Sequence, residues 1–136
     1  MIAVDASVAL QWFIHEDGSD EAAALLTGPH MLIAPELIIT EVAIAGWKAV
    51  RSGGMTRDQH DHAAARLALA FDALVSPAAL SPRAVTISRE MDHPVYDGFY
   101  LAVAEQREAT LVTAHRRLLP RIRGTQWAPL AVNLSP

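Results

Sequence analysis

The sequence predicts an α/β protein in which a parallel sheet is sandwiched between helices on both faces, an α/β/α arrangement. Three observations lead there. Apolar runs of strand length, IAV at 2–4, MLIA at 31–34 and TLVT at 110–113, are spread along the chain. Longer segments with apolar residues at helical spacing separate them. Glycine, proline and capping residues mark the joins. Strands that alternate with helices are joined by crossovers, and crossovers leave neighbouring strands parallel.

Taken in order, IAV gives a strand that passes directly into a helix from about Ser7 to His15, with Asp5 or Ser7 as the N-cap oxygen. A second helix runs from Ser19 to Leu26 and is closed by Gly28-Pro29. MLIA follows as a buried strand, and Pro35 suits the first turn of a long helix that continues to about Arg51, where Gly53-Gly54 ends it. Thr56-Arg57-Asp58-Gln59 has the form of a capping box, opening a helix through His62, Leu67 and Phe71. Ser81-Pro82 opens another. Pro94 precedes the helix VYDGFYLAVAEQREA, TLVT is the next strand, and WAPLAVNL supplies a final one.

At 136 residues the chain is one domain. Hydrophobic residues make up 51% and charged residues 19%, a globular composition. No stretch reaches the roughly 18 apolar residues that span a bilayer, and no basic leader precedes an apolar core, so a cytoplasmic protein without a membrane partner is expected. With no cysteine there is no disulfide framework and no thiolate ligand or nucleophile. The formal charge of −4 argues against a protein that coats nucleic acid through its overall field. The segment RRLLPRIR nevertheless gathers Arg116, Arg117, Arg121 and Arg123 with no acid between them. There is no P-loop and no GxSxG around Ser7.

Glu41 is the residue least expected of a purely structural sequence. Its helical neighbours at three and four residues, Leu37, Ile38, Ile44 and Ala45, are all apolar, so it points inward or into a cleft. There an unpaired charge is costly or raises the pKa. An ion pair with Lys48 is the structural alternative. Asp97 leads a stripe of Tyr100, Leu101 and Ala104, and a first-turn carboxylate favoured by the helix dipole would explain it equally. Asp5 alone reads as a cap. If the three meet, they cannot all stay ionised unaided, since two carboxylates 4 Å apart repel by about 4 kcal/mol at an effective dielectric of 20. Protons or a divalent cation must intervene. Hard oxygen donors favour Mg²⁺ or Mn²⁺, and a metal so held makes phosphodiester hydrolysis the natural reaction class.

The stretches MIAVDASVALQWF, APELIITEVAIAGWKAV and VYDGFYLAVAEQREATLVTAHRRL, in that order and spacing, resemble the PIN-domain ribonucleases and, within them, the VapC-like toxins of type II toxin–antitoxin pairs. The resemblance covers nearly the whole chain and implies a single PIN-like domain over 1–136. It implies that Asp5, Glu41 and Asp97 hold Mg²⁺ or Mn²⁺ for endonucleolytic cleavage of RNA, with Ser7 and Thr113 orienting them. It also implies a homodimer and silencing by a VapB-like antitoxin. Trp12, Phe13, Trp47 and the Ile39 and Ala43 side of the long helix are candidates for those contacts, and core packing explains them equally well. The four arginines follow the site directly, where an RNA backbone would run. A solvated helix face is the plainer reading of them.

One departure stands out. Where the family has a fourth aspartate in a pattern like TADRRL, this chain reads Thr113-Ala114-His115-Arg116-Arg117-Leu118. His115 could ligate a metal, favouring Mn²⁺ or a later transition metal, act as general acid to the leaving ribose oxygen, or simply line the cleft. In each case the site loses a negative charge. A catalytically weakened protein that binds RNA or antitoxin is therefore the alternative to an active enzyme. His60 and His62, two apart on a helix, diverge and are expected to face solvent.

Overall fold

Ile2–Val4 forms β1, and Asp5 turns the chain at once into α1, Ala6–Leu10, in the computed structural model, which describes residues 1–135. The remaining elements are α2 (Ser19–Thr27), β2 (Leu32–Pro35), α3 (Leu37–Ser52), α4 (Arg57–Arg66), β3 (Ala73–Val75), α5 (Pro77–Met91), α6 (Val95–Arg107), β4 (Thr110–Thr113), α7 (Leu118–Ile122) and β5 (Ala131–Asn133). Pro136, the last residue of the expected domain, lies outside the described residues.

The strands pair in the order β3-β2-β1-β4-β5, all parallel, with β1 central. The chain builds toward one edge through β2 and β3, then crosses β1 to β4 and builds toward the other. Right-handed crossovers place helices on opposite faces when that direction reverses. In agreement, α3 packs with α1 and α4, while α5 packs with α6 and α6 lies across β1, β2 and β4. The result is the α/β/α sandwich. Between them the two layers bury Ile33, Leu111, Leu101 and Val103, each at 1% exposure or less. Each such aliphatic side chain contributes about 1.5–3 kcal/mol. No helix among the described residues is long and apolar enough to cross a membrane.

Several boundaries differ from the sequence-based expectations, each for a tertiary reason. Helix α1 stops at Leu10, not His15, because Gln11, Trp12 and Phe13 donate to carbonyls three residues back and the Trp12 indole turns to the Ala22 carbonyl at 2.8 Å. Pro35 ends β2 and does not open α3; the Glu36 N–H still bonds to Val75 in the neighbouring strand. The helix expected to reach Phe71 breaks after Arg66 into a 3-10 turn, and the unpredicted strand β3 follows. Helix α5 begins at Pro77, capped by Ser76, so Pro82 falls inside it. The last predicted strand is a 3-10 turn at Ala128–Leu130 followed by β5. The Thr56–Gln59 capping box is present with both of its bonds. His62 is exposed, as expected, with its ring edge-on to Phe13, whereas His60 is half-buried and its ring bonds to the Ala43 carbonyl on α3 at 2.9 Å.

Candidate active site

In open parallel sheets, ligands collect beyond the carboxyl ends of the strands at the point where strand order reverses. Here that point lies between β1 and β4, whose last residues are followed by Asp5 and by Ala114-His115. A cavity of about 850 Å³ opens there, and its lining includes Asp5, Ser7, Glu41, Asp97 and His115.

Asp5 is fixed from three sides. The Ser7 hydroxyl donates to Oδ1 at 2.5 Å, the Val8 N–H donates to the same oxygen at 3.2 Å, and the Thr113 hydroxyl donates to Oδ2. Ser7 and Thr113 are themselves held, as acceptors from the N–H groups of Ala114 at 3.0 Å and His115 at 2.9 Å. Asp5 therefore caps α1 and also ties β1 to β4. Burial at 4% exposure raises its pKa above the ordinary carboxylate value; its three donors oppose that rise, and the charge of Asp97 adds to it.

Glu41 stands on the second turn of α3. Lys48 does not pair with it, and among the described residues no lysine or arginine pairs with Asp5, Glu41 or Asp97. Glu41 Oε1 is buried with no hydrogen-bond partner, and so is the Tyr100 hydroxyl beside it. The two fall short of good hydrogen-bond geometry, although the phenol is near enough to favour the carboxylate. Desolvation dominates, and with the charges of Asp5 and Asp97 it pushes Glu41 up to about 6.

Asp97, in the first turn of α6, has two imidazoles beside one oxygen, one bonded and one only near. His93 Nε2 bonds to Oδ2, and His115 Nδ1 is 3.6 Å from the same atom. His93 was not anticipated from the sequence. Standing just before Pro94, it reads as linker, yet its spacing of four from Asp97 is that of one helical turn. Tyr100, read from sequence as part of an apolar stripe, likewise brings its phenol to Glu41. Arg116, Arg117 and Arg121 line the cavity, and Arg121 also donates to the Asp92 carbonyl. Arg123 closes α7 as an exposed residue and does not line it.

The donor set is carboxylate oxygen with imidazole nitrogen, and among the described residues no lysine or arginine is ion-paired with it. By donor type, charge and the stranded Glu41 oxygen, it fits a divalent cation. Among the described residues no three aspartates, glutamates or histidines stand close enough to enclose an ion as they are. The fit thus rests on chemistry and not on a preformed cage.

The profile of the PIN domain family matches residues 2–124. Ribonuclease VapC3 of Pyrobaculum aerophilum is 29% identical over 119 residues, covering 86% of this chain and 91% of that protein. Two solved structures share the fold. A crystal structure of a Pyrobaculum aerophilum protein matches with a TM-score of 0.72 at 22% identity, over 98% of this chain and 83% of the other. A toxin–antitoxin complex from Klebsiella pneumoniae matches with a TM-score of 0.70 at 16% identity, over 98% of both chains.

Proposed function

This chain belongs to the PIN-domain family, and from that premise we propose that it is a VapC-like toxin: a divalent-metal-dependent endoribonuclease, cytoplasmic and restrained by a VapB-like antitoxin. The observation that carries the reading is the shared cavity lined by Asp5, Glu41 and Asp97, in which burial and then the neighbouring carboxylates make Asp5 and Glu41 costly to ionise and, among the described residues, no lysine or arginine is ion-paired with any of the three. The name of the Pyrobaculum relative and the toxin–antitoxin character of the Klebsiella structure support the activity and the partner.

Asp5, Glu41 and Asp97 would hold one Mg²⁺ or Mn²⁺, whose chemistry when bound is to lower the pKa of a water for attack on phosphorus and to stabilise charge on a phosphoryl oxygen. Ser7 and Thr113 keep Asp5 in one rotamer. Arg116 and Arg117, exposed at the cavity, fork onto phosphate oxygens and hold the RNA backbone without reading its sequence. Arg121, engaged at Asp92, contributes positive field more than a free fork, and Arg123 extends the basic surface away from the cleft. The chain acts as a single domain over 1–136. The exposed outer face of α3, with Ile44 and with Trp47 stacked under Arg51, is the surface for a homodimer.

The decisive test is RNA cleavage with Mg²⁺ or Mn²⁺ by the wild type and by Asp97→Asn and Glu41→Gln. Cleavage by the wild type that either substitution abolishes is expected; full activity in either variant refutes the assignment.

A second reading has its own observation. With His115 in place of a fourth acid and Asp97 Oδ2 already engaged by His93, the site carries less charge for an ion. A weakened enzyme that binds RNA or antitoxin follows. Under that reading, His115→Asp produces a large gain in Mg²⁺-dependent cleavage.

A further inference from the structure

The three acids of the cavity are restrained to three different degrees. Asp5 accepts from three donors and uses both of its oxygens. Glu41 has a buried oxygen with no hydrogen bond at all. Asp97 is intermediate: its Oδ2 takes the His93 imidazole, and among the described residues no protein donor reaches its Oδ1.

The backbone sets His93 up for this contact. Asp92 ends α5 in the left-handed conformation, with φ 50°, and the His93 N–H donates back to the Ser88 carbonyl at 3.1 Å. Pro94 then caps α6 and starts it. The turn drives the imidazole inward, where its side chain is 11% exposed and that of Asp97 15%. His115 cannot do the same work. At 3.6 Å and 42% side-chain exposure it stands beyond hydrogen-bond distance of the carboxylate.

We propose that His93 is a positioning residue for Asp97: its Nε2–H holds Oδ2 and leaves Oδ1 as the oxygen available to the dication. The inference rests on the metal-site reading above and deepens it. A ligating carboxylate that is held by an outer hydrogen bond has its rotamer chosen before the ion arrives, and losing such a partner typically weakens metal affinity by about 10–100-fold. While Nε2 serves Asp97, it is not itself a metal ligand.

The experiment is Mn²⁺ binding to the purified full chain, followed by the electron paramagnetic resonance of free Mn²⁺ and by calorimetry. The proteins compared are wild type, His93→Ala, His93→Gln and Asp97→Asn, each with its metal-free unfolding curve. Expected are an affinity lower by about 10–100-fold in His93→Ala and substantial recovery in His93→Gln, which restores a side-chain N–H donor. If His93→Ala is too unstable to measure, His93→Gln decides alone: affinity near wild type upholds the role, and a loss as large as that of Asp97→Asn overturns it. Wild-type affinity in His93→Ala, with Asp97→Asn weakened, overturns the positioning role and leaves the metal site standing. Unchanged binding in Asp97→Asn removes the metal site itself.

Discussion

Asp5, buried, and Glu41, half-buried, are acids at one cavity, and their loss has opposite consequences for the fold. Removing the Asp5 carboxylate with Asp5→Ala strands the Ser7 and Thr113 hydroxyls and the Val8 N–H and uncaps α1, a loss of about 1–2 kcal/mol after the relieved desolvation is allowed for. Glu41 holds nothing. Replacing it with Gln removes a charge that the fold disfavours, so metal-free protein at pH 7 should melt higher by about 2–5 °C while cleavage is lost; the figure is discounted for partial exposure. Calorimetry of the two variants separates the effects. The pH dependence follows the same logic. Glu41 titrates near 4.5 when unfolded and about 6 when folded, so between those values the native state binds protons that the unfolded state has released. Stability of the metal-free protein therefore falls as pH rises through that window, and Asp5 adds a fall in the same direction. A melting temperature that declines from pH 4.5 to 6.5, with a shallower decline in Glu41→Gln, is the expected result.

Among the elements, α6 carries the site and also the tightest packing. A Cβ on Gly98 would stand 2.3 Å from Ser88 Oγ and 2.5 Å from the Ala84 carbonyl, so α5 and α6 touch backbone to backbone immediately after Asp97. Gly98→Ala must push the helices apart, costing about 1–3 kcal/mol, and because Asp97 moves with α6, activity should fall further than the melting temperature alone explains. Thermal unfolding and kinetics on the same sample test this. The long, punctuated elements were readable in the sequence: α3 from its apolar stripe, α4 from its capping box, β4 from a short apolar run. Strand β3 was not, since three residues between Asp72 and Ser76 carry no period of their own. What makes them a strand is distant, the paired bonds between Asp72 and Leu32 and the ladder to β2. Likewise Ser81-Pro82 reads as a helix start, but α5 uses the same Ser-Pro signal five residues earlier, at Ser76-Pro77. Glu41 and Asp97 stand out in the sequence by the apolar stripes around them and Asp5 by its place at a strand end, and the three line one cavity. His93 was missed because only the folded turn at 92–94 brings it back over Asp97.

At the scale of the whole molecule, an acidic body presents a basic lip. Arg116 and Arg117 line the same cavity as the acids, so on the proposed function RNA binding should be strongly salt-dependent. Replacing both with Ala should weaken binding to all RNA sequences alike and lower the slope of log affinity against log salt by about one to two, measured with the cleavage-deficient Asp97→Asn protein. The sheet has a consequence of another kind. Its central strand is the first one synthesised, and the hydroxyl that clasps Asp5 belongs to a residue 108 positions later. A polypeptide still being translated has Asp5 and Glu41 in hand long before β4 exists to close the cleft around them. The hydrogen bonds that fix Asp5 are therefore incomplete in the nascent chain until residue 113 has left the ribosome, and the cleft takes its final shape only near the end of synthesis.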